Sequence, residues 1–145
     1  MSLENEKTTD PQLAYLFLRA TLGVNILVHG LARVLSGQEQ FAATIIQGFR
    51  TTPLPQPFVV GFAYSLLWLE TIIGVLVLLG IFTRVALSAG ALLILILTFG
   101  STLRQDWEAA GLPLIYAIAY AGLLAYRHEN RYSADILMHR NKNEE

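Results

Sequence analysis

The chain contains no cysteine. That excludes disulfides, thiolate metal sites, iron–sulfur ligation by the polypeptide, a cysteine nucleophile and a CxxC redox pair. Charge is scarce too. Asp, Glu, Lys and Arg make up 14% of 145 residues, where soluble domains carry about a quarter. The net charge of −1 leaves no basic excess for nucleic acid. Eleven glycines and five prolines recur without period, which excludes collagen-like and low-complexity structure. Apolar residues fill the space. They reach 54% of the chain, and mean hydropathy is +0.48. That is too oily for the surface of a small soluble domain and equally incompatible with disorder.

The apolar residues are clumped. Runs at 13–35, 58–80, 85–103 and 109–126 are each bounded by polar residues. A helix rises about 1.5 Å per residue, so roughly 20 residues cross a hydrocarbon core about 30 Å thick. The first three runs suffice, and the fourth is marginal. The first run reads as a retained span rather than a cleaved leader. Its approach carries Glu4, Glu6 and Asp10 against Lys7 alone, and no small-x-small site precedes a hydrophilic domain. The expected fold is all-α, an integral membrane four-helix bundle forming a single domain over 1–145. Within 38–50, Phe41, Ala42, Ile45, Ile46 and Phe49 share one helical face. This predicts a short amphipathic helix in the first outer loop, lying in the interface or capping the bundle. Residues 51–57, with three prolines, predict an extended connector that is not helical. Residues 127–145 predict a cytoplasmic tail, solvated at 141–145.

Four crossings put both termini on one side with the turn at 81–84. That side holds Lys7, Arg84, Arg127, Arg131, Arg140 and Lys142; the other holds Arg33, Arg50 and Arg104. The excess of cations places both termini in the cytoplasm. Small residues at Ala86 and Gly90, and at Ala117, Ala121 and Ala125, predict close helix packing in the third and fourth spans. Tyr116 and Tyr120 share a face there. They serve either packing or the apolar wall of a ligand pocket.

Ionisable groups within spans cost roughly 2.5–3.5 kcal/mol each and usually face a protein interior. Arg19, Asn25, His29 and Arg33 fall within a stripe of about 120° on the first helix at 100° per residue, flanked by Gly23 and Gly30. Glu70 is the single formal charge in the second run. With the outer ends of these helices level at Leu35 and Phe58, Glu70 lies ~18 Å deep and Arg19 ~24 Å, against ~9 Å for His29 and ~3 Å for Arg33. The expectation is an Arg19–Glu70 pair with His29 on its outer side; left unpaired, Glu70 would be neutral. The pair either fixes helix register or, with Asn25, His29 and Arg33, lines a polar binding pocket. A metal site is not expected, since His29 has no second strong ligand at helical spacing. His128 and His139 read as solvated. No nucleophilic triad, phosphate loop or haem motif is present, so no catalytic residue is assigned.

Two motifs stand out together. The first helix reads Arg19-x-x-x-Gly23 and His29-Gly30-x-x-Arg33. The second reads Glu70-x-x-x-Gly74, then Leu78-Leu79-Gly80-Ile81-Phe82-Thr83-Arg84. Over 13–103 the chain resembles the DoxX-like family of small four-helix bacterial membrane proteins, which includes the DoxD-type small subunit of thiosulfate:quinone oxidoreductase. Arg33 stands where that family more often has Lys. The resemblance implies a multi-pass protein of the bacterial plasma (inner) membrane, serving as a quinone-linked oxidoreductase subunit or membrane anchor. No cofactor is built in, quinone is the implied partner molecule, and electrons come from a redox partner subunit. A homo-oligomer is open. The rival reading is non-enzymatic: an assembly or chaperone-like membrane protein, or a small-molecule or proton-conducting bundle.

Overall fold

Every long apolar run becomes a helix because only a helix satisfies its own backbone in lipid. The computed structural model describes residues 9–142. Lys7 and the tail end at 143–145 lie outside them, as do the side chains of His139, Arg140 and Lys142. Among the described residues there is no strand, and six α-helices run in order. They are α1 (Asp10–Leu35), α2 (Gln38–Gly48), α3 (Gln56–Leu79), α4 (Thr83–Leu103), α5 (Trp107–Ala125) and α6 (Ala134–Lys142). Helices α1, α3, α4 and α5 are long and apolar enough to cross a membrane.

The breaks follow local chemistry. Thr9 N–H donates to Gln12 Oε1 at the start of α1, and Pro11 sits in the first turn, where its missing N–H costs nothing. The proline connector is shorter than expected. Gln56 and Pro57 already belong to α3, because a proline in a first turn is pre-shaped for the helix. Helix α3 stops at Gly80, whose φ of 67° is left-handed. The following N–H, of Ile81, donates back to the Leu76 carbonyl at 3.0 Å, a glycine-dependent stop.

Two helix pairs carry most of the packing, α1 against α3 and α4 against α5. The first is a glycine seam. A Cβ at Gly23 would lie 2.6 Å from the Leu78 backbone, and Gly74 abuts the Leu27 backbone. Backbones approach that closely only where side chains are missing, as suits helix association in lipid. In the second pair, Ala86 is buried and Gly90 receives the Tyr120 ring. Ala117, Ala121 and Ala125 are exposed instead, so this row does not form a helix contact.

The seam sets a register that level helix ends do not give. Leu27 meets Gly74, where level ends would oppose it to residue 66. The slide is eight positions, roughly 12 Å. It leaves the first turns of α3 projecting past α1. Helix α2 packs on that projection and buries Ala42 completely, so it caps the bundle.

The segment after α5, expected as a tail over 127–145, contains helical structure. A 3-10 turn at Arg127–Glu129 precedes α6. Helix α4 begins after Phe82, which offers no capping side chain. Asp135 supplies the cap, its carboxylate accepting from Phe82 N–H at 2.7 Å and Thr83 N–H at 2.8 Å. Asn130 Nδ2 donates to Thr83 Oγ1 at 3.1 Å.

Candidate functional site

The slide of α1 against α3 separates Arg19 from Glu70. The expected pair does not form: Arg33, fourteen residues nearer the α2 end of α1 than Arg19, donates its guanidinium Nη1 to Glu70 Oε2 instead. Depth matching fails because it takes Leu35 and Phe58 to end at one level, whereas α3 starts well beyond α1. Gly30 makes the substitute pair feasible, since its bare backbone lies against Thr71 and draws the two helices together beside Arg33 and Glu70.

Arg19 has another task. It is 2% exposed yet has no carboxylate among its hydrogen-bond partners. Nη1 donates to the carbonyls of Val77 at 2.7 Å and Leu78 at 2.8 Å, and Nη2 to that of Tyr132 at 2.6 Å. The last carbonyls of a helix lack intrahelical partners, and that end carries partial negative charge. Arg19 therefore satisfies the end of α3 and fastens the tail to it.

The other polar residues of the α1 stripe converge. Asn25, His29, Arg33, Glu70 and Tyr116 line one cavity of about 270 Å³ between α1, α3, α4 and α5. Tyr116 hydroxyl donates to Asn25 Oδ1 at 3.1 Å, tying α5 to α1. His29 Nδ1 lies 2.8 Å from the Asn25 carbonyl. A carbonyl only accepts, so Nδ1 carries the proton and Nε2 of the neutral ring is left as an acceptor. The Glu70 side chain is 7% exposed and that of Arg33 28%. Arg33 Cζ also stands 4.6 Å from the Phe41 ring centroid of α2, a cation–π contact. Ile94, Leu97 and Leu112 make the opposite, apolar wall. Tyr120 is absent from this lining; it is fully buried against Gly90.

Two features of the cavity go beyond the sequence reading. Glu108 lines it from the first turn of α5, one residue before the apolar run begins. Pro113 lies inside α5 and also lines it. Lacking an N–H, Pro113 cannot bond the carbonyl of Ala109, which borders the same cavity. A proline within an apolar run is the signal that finds this spot, because freed backbone groups at membrane depth are tolerated where they face a cavity.

The chamber thus offers fixed donors at Arg33, acceptors at His29 and Glu70, and an apolar face opposite. It suits a flat, mostly apolar molecule with polar atoms at its edge. No characterised protein and no solved structure matches the chain. The DoxX family model matches residues 14–104, which takes in α1 from its fifth residue, all of α2 to α4 and both of the paired residues Arg33 and Glu70. With its four candidate spans, the chain belongs to the DoxX family and is a membrane protein.

Proposed function

We propose that the chamber beside Arg33 and Glu70 binds the head group of a membrane quinone, and that the protein serves as the membrane subunit of a quinone-linked oxidoreductase. The observation that carries this is the convergence of Asn25, His29, Arg33, Glu70 and Tyr116 on one cavity with an apolar far wall. Its volume of about 270 Å³ lies just below that of most ligand pockets, which run ~300–1,000 Å³. That fits a ring-sized head group better than a whole lipid.

The chemistry assigns roles to the residues. Arg33 donates to a quinone carbonyl oxygen and favours the negative charge that grows there as electrons arrive. Reducing quinone to quinol takes two electrons and two protons. With no cysteine in the chain, its side chains offer no thiol couple, so a partner subunit supplies the electrons and is itself oxidised. The protons pass through polar side chains, with His29 Nε2 and Glu70 placed to accept and release them. Orientation follows the distribution of cations: the end bearing the termini faces the cytoplasm in a bacterial inner membrane.

A short-chain ubiquinone analogue tests the reading. Trp107 precedes the lining residue Glu108 in the chain, so quinone binding should quench tryptophan emission in reconstituted vesicles. Glu70→Gln and Arg33→Gln should each weaken quenching at least tenfold, the scale of one charge-assisted hydrogen bond. Tyr120→Phe, away from the cavity, should leave it unchanged. Equal quenching in all four proteins would refute the site.

A further inference from the structure

The end of the bundle where α1 begins and α5 ends carries a second cavity, larger than the first, at about 460 Å³. It lies between the start of α4 and the segment that follows α5. Three arginines line it: Arg84 in the first turn of α4, Arg127 just after α5, and Arg131 before α6. All three are exposed, and none forms an ion pair among the described residues. The acidic residue of the lining, Asp135, is engaged by the backbone N–H groups of Phe82 and Thr83. The α4 N-terminus is therefore occupied, and the arginines face an open cavity with a cationic excess.

Depth and surroundings narrow the ligand. Arg84 and Arg127 stand at the ends of two candidate spans, the level at which phospholipid head groups sit. Beside them Phe82, Val85 and Tyr126 are 68%, 65% and 63% exposed. A free anion has no use for that apolar flank, whereas acyl chains would cover it. We propose that this cavity is a binding site for an anionic phospholipid, with Arg84, Arg127 and Arg131 around the phosphodiester and Phe82, Val85 and Tyr126 against the chains. Guanidinium groups match phosphate oxygens in a bidentate way. A basic pocket between spans at the head-group level is a recurrent setting for such lipids. The site lies at the other end of the molecule from the quinone chamber and does not depend on that reading.

The test uses full-length protein in nanodiscs of phosphatidylcholine, alone or mixed with phosphatidylglycerol, with retained lipid counted by native mass spectrometry. Wild type should retain phosphatidylglycerol over phosphatidylcholine, and added salt should weaken the preference. Each arginine near an anionic head group contributes roughly fivefold, so R84Q/R127Q/R131Q should lose affinity roughly a hundredfold. Replacing all three by lysine should restore part of it. Inorganic phosphate should not displace the lipid at matched concentration. Retention unchanged in the triple glutamine variant, equal retention of both lipids by wild type, or displacement by inorganic phosphate would each overturn the proposal. The two wild-type outcomes stand even if the variant does not fold.

Discussion

Arg19 shows how a buried cation is tolerated with backbone carbonyls, and no carboxylate, as its hydrogen-bond partners. Three backbone carbonyls, two at the end of α3 and one at Tyr132, surround its guanidinium. Removing it takes a donor from all three; the Val77 carbonyl keeps the Gly80 N–H at 3.3 Å, and each acceptor left unpaired where water cannot reach it costs roughly 1–3 kcal/mol. Arg19→Met should therefore lower the melting temperature in detergent by several degrees, and Arg19→Lys should recover only part, since one ammonium cannot fork between α3 and the tail. An unchanged melt in Arg19→Met would contradict this role. Tyr120 predicts the opposite sign. Its hydroxyl is buried with no hydrogen-bond partner among the described residues, so Tyr120→Phe should be neutral or stabilising in the same melt. A marked loss would reveal a partner for the hydroxyl.

At the scale of elements, the α1–α3 seam is held by missing side chains. A Cβ at Gly74 meets the backbone of Leu27, and backbone does not step aside. Gly74→Val should cost at least the 1–3 kcal/mol typical of overpacking. Gly111→Ala in α5, where a Cβ meets open space, should cost nothing and add up to about 1 kcal/mol. Comparing the two melts separates steric effects from helix propensity. The Asp135 carboxylate joins the tail to the start of α4, beside the bonds made by Arg19 and Asn130. Asp135→Ala removes the cap of α4 and should cost ~0.5–2 kcal/mol, with faster tryptic cleavage at Arg127 and Arg131. An unaltered digestion pattern would show that the tail is held by something else.

For the molecule as a whole, what sequence reveals and what it hides have a common physical origin. Spans are legible because lipid imposes their length and apolarity locally, residue by residue. The stripe on α1 is legible because helical geometry is fixed, so spacing alone groups Asn25, His29 and Arg33. Their partner is not legible in that way. Which cation meets Glu70 depends on how far α1 slides along α3, and the slide is decided by where glycines on two distant segments allow backbones to touch. Gly23, Gly30 and Gly74 stand in plain view along the chain, but the contact of Gly74 with Leu27 does not. The tail is hidden for a related reason: Asp135 looks like an ordinary surface acid until Phe82 is seen to start a helix without a cap.

The slide of α1 against α3 gives Glu70 to Arg33 and builds the chamber around that pair. A double-mutant cycle on stability in detergent tests it directly, combining Glu70→Gln with Arg33→Gln and, separately, with Arg19→Gln. Residues in contact couple by roughly 0.5–3 kcal/mol, and distant ones add within ~0.3–0.5 kcal/mol. The prediction is clear coupling of Glu70 to Arg33 and additivity with Arg19. Coupling to Arg19 with additivity toward Arg33 would contradict the register and remove the chamber.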